Sequence, residues 1–330
     1  MGHGPFRVGQ WADGIGDSRH AGDIRARFGP RGDRGLSMAD EIPQAGTAPL
    51  AVRFLRPAAE LSGLIDAYYI LDAWRAVSDH LLAGPGNVRF QLAGEWRLTV
   101  DGAHSPTPQQ SGLFGPTDRA AIFASTGRAI MLGAGLTPVG WAKLFDADAS
   151  DMANRVQTLS DFVGVADADG LYADLMAAPD DLGIAAVLDS WFTARAAARP
   201  DADPRVAVLA RELLQPHDDV TSLAAAVGVS ERTLDRLCKR GFGFTPKQLL
   251  RQKRFLRTLE RVRGVLDQPL SGLIDDGYFD QAHFNRDFRQ FMGMTPTEYF
   301  DSPREIMRRS AELRRELNGL GLQGLHPARG

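Results

Sequence analysis

Apolar and polar positions alternate in VRFQL at 88–92 and again in EWRLTV at 95–100, and a period of two predicts half-buried strands. Ala93-Gly94 between them and Asp101-Gly102 after them are turn chemistry. Two further apolar runs, AAIFA at 120–124 and AIMLGAGL at 129–136, flank Ser125-Thr126-Gly127, so a small antiparallel β-rich unit is expected from about residue 50. Thr137-Pro138 then has the N-cap and N1 form of a helix start, leading into VGWAKLF. Ala- and Leu-rich helical sequence follows from about 159 to 198.

The first 48 residues, rich in Gly, Asp and Arg, show no apolar period and are expected to be disordered, with Met38 an alternative start. ARPDADP at 198–204 is the best linker, and Asp203-Pro204 opens a new helix with Val206, Leu209 and Leu213 as its apolar stripe. Four regions follow: a disordered 1–48, a β-rich then helical 49–200, an all-helical 201–302, and a charged helix or tail at 303–330.

The helical part contains a duplication. Residues 230–248 lie over 280–298 without a gap, placing Leu234 on Phe284, Arg236 on Arg286, Lys239 on Arg289 and Gly243-Phe-Thr-Pro246 on Gly293-Met-Thr-Pro296. Ser230 and Asp280 are N-cap residues, and Thr245 to Gln248 and Thr295 to Glu298 are capping boxes with proline at N1. Each copy is therefore a helix, a glycine-containing break and a second helix.

LAAAVGVS at 223–230 precedes the first copy and predicts a helix-turn-helix. Small Ala224 lets two helices cross closely, Gly228 supplies the turn, and Leu223, Val227, Val229, Leu234 and Leu237 fill the angle. Turned by 100° per residue, the next helix groups Leu234, Leu237 and Cys238 on one side and Arg232, Arg236 and Lys239 on the other, with Asp235 and Arg240 at the margins. A stripe of that charge at a helix start suits the major groove, where Arg reads guanine and Lys holds phosphate.

Charge sharpens this picture. The chain carries 38 Lys+Arg and 41 Asp+Glu, a net of −3, but the excess is acidic up to residue 203 and basic from 204 onward. A basic segment joined to an acidic domain points to a polyanionic partner for the C-terminal part. The 330-residue length suits two domains, and the 44% apolar content is that of an ordinary globular chain. No apolar run has membrane length and no signal-peptide core opens the chain, so a cytoplasmic location is expected. The one cysteine, Cys238, excludes an internal disulfide and a multi-cysteine zinc site.

LAAAVGVSERTLDRLCKRGFGFTPKQLLRQKR together with GYFDQAHFNRDFRQFMGMTPTEY resembles the DNA-binding domain of the AraC/XylS family of bacterial transcription regulators, over about residues 205–300. The resemblance implies an α+β chain, with an N-terminal β-rich sensor-like domain for effector binding or dimerisation followed by an all-α double helix-turn-helix domain. It implies recognition helices at 231–240 and 281–291, a linker helix from about Pro246 to Arg263, and base-reading positions at Arg232, Asp235, Arg236, Ala282, His283 and Arg286. Thr233, Lys239, Arg240, Gln281 and Arg289 complete the expected DNA face. Leu223, Ala224, Gly228, Leu234, Gly277, Phe284 and Pro296 are the expected scaffold. Expected partners are promoter DNA, a small-molecule effector, a second copy in a homodimer and, for an activator, RNA polymerase, with no membrane and no cofactor. One departure stands out: three residues separate Leu273 from Gly277, against four between Leu223 and Gly228, so the second unit's first helix is expected to be shortened or re-registered.

Enzymatic readings fare worse. AIMLGAGLTPVGWAKLF has the outline of a strand, a Gly-x-Gly turn and a helix, as in dinucleotide binding, but the third glycine, Gly140, comes five residues after Gly135 and Pro138 interrupts the turn. HExxH and G-x-S-x-G are absent. DNA-alkylation repair domains, which also occur with AraC-like modules, depend on several cysteines, whereas Cys238 holds a packing position. An enzymatic or partner-docking N-terminal module tethered to DNA is the alternative function. Asp280, His283 and Asp287 share helical spacing but lack a further metal ligand; Asp280 is read as a cap and Asp287 as the partner of a neighbouring arginine. Trp96, Trp141 and Trp191 are expected in the core, His80 and His104 in surface loops, and Arg89 and Arg97 exposed rather than bound to an anionic effector.

Overall fold

The alternation in VRFQL becomes a strand inside a sheet buried on both faces. The computed structural model describes residues 50–100, 103–105, 108–264 and 281–301. The expected disordered segment 1–48, the Leu273 to Gly277 spacing with scaffold residue Gly277, the Asp280 cap and the tail 303–330 lie outside the described residues.

Strands β1 (Leu50–Leu55), β2 (Ile65–Ala73), β4 (Asn87–Ala93), β7 (Ser111–Phe114), β9 (Ala129–Leu136) and β10 (Val156–Thr158) form one sheet in the order β1-β2-β9-β4-β7-β10. Strands β3 (Val77–Leu81), β5 (Trp96–Val100), β6 (Ala103–Ser105) and β8 (Ala121–Ser125) form a second, in the order β3-β8-β5-β6. Their pairings are antiparallel. The period of two sorts each strand's side chains. Val88, Phe90, Leu92, Ile130 and Leu132 go to a core shared with helices, while Tyr69, Leu71, Phe114 and Met131 go to a core shared with Trp96, Leu98 and Phe123 of the smaller sheet.

Helices α1 (Pro138–Leu144), α2 (Ser160–Val163), α3 (Val165–Ala177) and α4 (Asp181–Ala197) supply the helical side, with Leu171, Leu175, Ile184, Leu188 and Phe192 buried. Thr137 caps α1 as expected, its hydroxyl accepting from the Gly140 N–H at 2.9 Å. Gly140 packs so closely that a Cβ there would lie 1.9 Å from the Leu64 carbonyl oxygen. In this way a sequence feature with a dinucleotide-binding outline serves packing instead. Gly133 and Gly135 lie inside β9, paired with Arg89 and Asn87 of β4, and form no phosphate-cradling turn.

Trp96 and Trp141 are core residues. Three other expectations need correcting. His80 and His104 stand in β3 and β6 rather than in loops, because strands bound the turns more tightly than the polar character of their flanks indicates. Arg97 is exposed and paired with Glu95 at 3.0 Å, but Arg89, on the polar phase of β4, is half-buried between the sheets. An alternating strand in a two-faced sheet has no solvent side, so its polar phase also points into protein.

The second domain contains α5 (Pro204–Glu212), α6 (Val220–Val227), α7 (Glu231–Phe242), α8 (Pro246–Gly264), α9 (Gln281–Met292) and α10 (Pro296–Asp301). Asp203 caps α5 by accepting from the Arg205 N–H at 3.0 Å. Two apolar clusters hold the domain, one around Leu209, Leu223, Leu234 and Leu237, the other around Phe255, Phe284, Phe288 and Phe291.

Candidate nucleic-acid interface

Helices α6 and α7 and the turn between them are built as the sequence predicts. Asp219 and Ser222 form a reciprocal capping box that starts α6. Gly228 ends it at φ 75°, ψ 36°, the left-handed region that glycine enters without a Cβ penalty. Val229 returns its N–H to the Ala224 carbonyl at 3.0 Å, and Ser230 opens α7 by accepting from the Thr233 N–H at 3.3 Å. Leu223, Ala224 and Leu234 are buried in the angle between the helices.

On α7, Leu234, Leu237, Cys238 and Phe242 face inward, and Arg232, Arg236, Lys239 and Arg240 are exposed. Thr233 and Asp235 are half-buried, and Asp235 pairs with Lys239 at 2.8 Å. Burial, with the Asp235 charge nearby, pushes the Cys238 thiol up to about 12, so it stays protonated and acts as a small apolar side chain.

Helix α9 repeats the pattern of α7 fifty residues on. Helix α9 buries Phe284, Asp287, Phe288, Phe291 and Met292 and exposes Gln281, Ala282, Arg286 and Arg289, with His283 half-buried. The boxes predicted at Thr245 and Thr295 are both present: the Thr245 N–H donates to Gln248 Oε1 at 3.0 Å and the Thr295 N–H to Glu298 Oε2 at 2.7 Å. Scaffold residue Pro296 is buried at the start of α10.

Asp287 departs from the pattern. It occupies the position of Leu237 in the repeat, is fully buried, and accepts from Arg251 Nε of α8 at 2.7 Å. Arg251 also lies 5.5 Å from the Phe291 ring centroid. A carboxylate at a buried position requires a cation, and the linker helix supplies it. The second unit is thereby bound to α8 by an ion pair whose counterpart in the first unit is the apolar Leu237.

Motifs did not predict how the two domains meet. The last carbonyls of a helix lack most of their partners within it, and for both α7 and α9 the β-rich domain provides donors. Ala149 and Ser150 donate their N–H groups to the carbonyls of Arg240 and Lys239, each at 3.0 Å, and Ala120 donates to that of Gln290 at 3.4 Å. Asp148 faces Arg240 at 3.7 Å, and Gln252 of α8 donates to the Thr117 carbonyl at 3.3 Å. The glycines that end the helices fit the same surface. A Cβ on Gly243 would lie 2.6 Å from Pro116, and one on Gly293 would lie 3.2 Å from His80. The exposed N-terminal halves of α7 and α9 point away from this seam, leaving Arg232, Arg236, Ala282 and Arg286 open.

Among the described residues, no group of three His, Cys, Asp or Glu is placed to hold a metal, and no helix is long and apolar enough to cross a membrane.

A β-rich domain seated on the helix-turn-helix of α6 and α7 and on the repeat helix α9 defines a two-domain chain with a DNA-binding half. Residues 223–302 match the family model described as a helix-turn-helix domain. The chain is similar in fold to an apo variant of ToxT from Vibrio cholerae, at 9% identity over 77% of this chain and 97% of that one, TM-score 0.40. It is also similar to ToxT with unsaturated fatty acid bound, at 9% identity over 70% and 92%, TM-score 0.38. The AraC-like transcriptional activator CuxR aligns at 18% identity over 63% and 86%, TM-score 0.29. No protein of curated function matches the chain.

Proposed function

We propose that this chain is a cytoplasmic, one-component transcription regulator that binds specific DNA through residues 201–302 and is modulated by a small molecule bound to residues 49–200. The carrying observation is that α7 and α9 present exposed faces in the same register, Arg232, Arg236 and Lys239 on one and Ala282, Arg286 and Arg289 on the other, over equivalent buried sides. In this reading Arg232, Asp235, Arg236, Ala282, His283 and Arg286 meet base edges, and Lys239, Arg240, Arg289, Thr233 and Gln281 hold the backbone. The two helices enter successive major-groove segments on one side of the duplex. Affinity comes largely from Lys and Arg on phosphates, so it falls steeply with salt.

The seam supports modulation. One domain caps the C-terminal ends of both reading helices, so a change in its shape bears on both at once. The functional unit is a homodimer on a paired site, meeting RNA polymerase where it activates. A nuclease footprint of the full chain on its own promoter region tests the reading. A protected segment spanning adjacent major grooves is expected, and the absence of protection at low salt would refute it.

A further inference from the structure

Strand β4 directs three polar side chains, Asn87, Arg89 and Gln91, into the space between the sheets. Two are fully engaged. Gln91 accepts from the Trp96 N–H at 2.8 Å and donates to the Pro108 carbonyl at 2.7 Å. Asn87 donates to the Pro85 carbonyl at 3.0 Å and accepts from the Tyr69 hydroxyl at 3.2 Å. Arg89 is different. Its Nε donates to Tyr69 Oη at 2.8 Å, and its guanidinium lies 4.4 Å from the Phe114 ring centroid and 5.1 Å from that of Phe123. Its two terminal nitrogens donate to nothing among the described residues, and no described carboxylate pairs with it.

A half-buried cation among aromatic rings without a counter-ion is costly, and ring contacts offset only part of that cost. The relay from Arg89 through Tyr69 and Asn87 to the Pro85 carbonyl fixes the guanidinium plane and leaves the two-nitrogen fork unused. That fork matches the two oxygens of a carboxylate. The residues paired with Arg89 on β7 and β9 are Gly112 and Gly133, which add no side chain of their own beside it; the Tyr69 ring covers Gly133, and Pro108 and Phe114 cover Gly112. The surrounding surface is apolar, with Leu98, Phe123 and Met131 in the same cluster.

We propose that Arg89 anchors the carboxylate of a small organic acid whose apolar body lies between the two sheets, and that occupancy is passed to the DNA-binding domain through residues 115–122. The inference deepens the sensor reading above and rests on it. Phe114 and Phe123, the rings against Arg89, stand at the two ends of that segment. Within it Pro116 meets Gly243, Thr117 accepts from Gln252, and Ala120 donates to Gln290. A ligand that shifts either ring therefore acts on a segment in contact with both helix-turn-helix units.

Calorimetry on the full chain tests this with octanoate and phenylacetate, their primary amides, and inorganic phosphate. Both acids are expected to bind, with the amides and phosphate at least about tenfold weaker. Arg89→Gln is expected to weaken the acids by about 10- to 100-fold and Arg89→Lys by less. Amides or phosphate binding as well as the acids, Arg89→Gln binding them unchanged, or no acid binding at millimolar concentration would each overturn the proposal. The acid-against-amide comparison uses the unaltered chain, so it holds even where Arg89→Gln does not fold. Arg89-dependent acid binding without any DNA footprint would leave the site standing and remove the regulator reading; a footprint without acid binding would do the reverse.

Discussion

Three glycines end helices in the left-handed region, and alanine at each measures a different thing. Gly228, Gly293 and Gly243 have φ values of 75°, 71° and 84°, so each alanine incurs about the same backbone strain, roughly 1 kcal/mol. Their surroundings differ. A Cβ on Gly228 meets nothing within 4 Å, one on Gly293 meets a His80 ring atom at 3.2 Å, and one on Gly243 meets Pro116 Cγ at 2.6 Å and the Ala149 carbonyl at 3.0 Å. Ring and backbone cannot rotate aside as a side chain can, so the loop at 149–150 must retreat. That movement breaks its two hydrogen bonds to the end of α7, at about 1 kcal/mol each. Gly243→Ala is therefore expected to cost about 3 kcal/mol, Gly228→Ala about 1 kcal/mol, and Gly293→Ala a value between them. Urea unfolding of the full chain measures this with two probes. Far-UV circular dichroism follows the helices, while Trp74, Trp96, Trp141 and Trp191, four of the five tryptophans, stand in the β-rich domain and follow it. Gly243→Ala should also separate the two transitions in urea, by releasing one domain from the other. Equal costs for Gly228→Ala and Gly243→Ala would show that the seam contributes nothing to stability and would refute the reasoning.

Other outcomes follow from single contacts. Arg236→Ala is expected to cost roughly 1–3 kcal/mol of specific binding and relax base preference, whereas Lys239→Ala weakens all DNA alike and lowers the salt slope by about one, both read from gel-shift titrations. Arg251→Met withdraws the cation facing a fully buried carboxylate and is expected to cost about 3 kcal/mol, more than Asp287→Asn, which leaves a part-exposed Arg251 able to reach water; urea midpoints compare the two. Burial, with Arg257 beside it, pulls the Lys253 ammonium down to about 8 from 10.5. Between those values the unfolded chain binds the extra proton, so stability should rise with pH across that window, and Lys253→Met should flatten the rise in urea midpoint.

The first helix-turn-helix and the helix pair that repeats its second half are legible in the sequence because local chemistry specifies them. Caps at Ser230, Thr245 and Thr295, the turn at Gly228 and the amphipathic face of α7 are each set within a few residues. The fifty-residue repeat also contains a signal that charge alone hides: Asp287 falls on Leu237, an apolar position of the first copy, and this alone marks it as facing the core. Strands β4 and β5 are equally readable from their period, and β8 and β9 from their apolar runs. What the period cannot say is which sheet face meets solvent, so it puts Arg89 outside, whereas the side chain stands between two sheets. The seam is illegible for a related reason. Backbone N–H groups of Ala120, Ala149 and Ser150 make it, and a backbone donor has no residue type to read.

The segment between Phe114 and Phe123 touches the first unit, the linker helix and the second unit within a few residues. Its length is therefore a second ruler beside α8: the separation of α7 and α9 is matched to a dimension of the β-rich domain as well as to the linker helix. On the function proposed above, a change in that segment would retune which spacing of operator elements is accepted while leaving the bases each helix meets as they were.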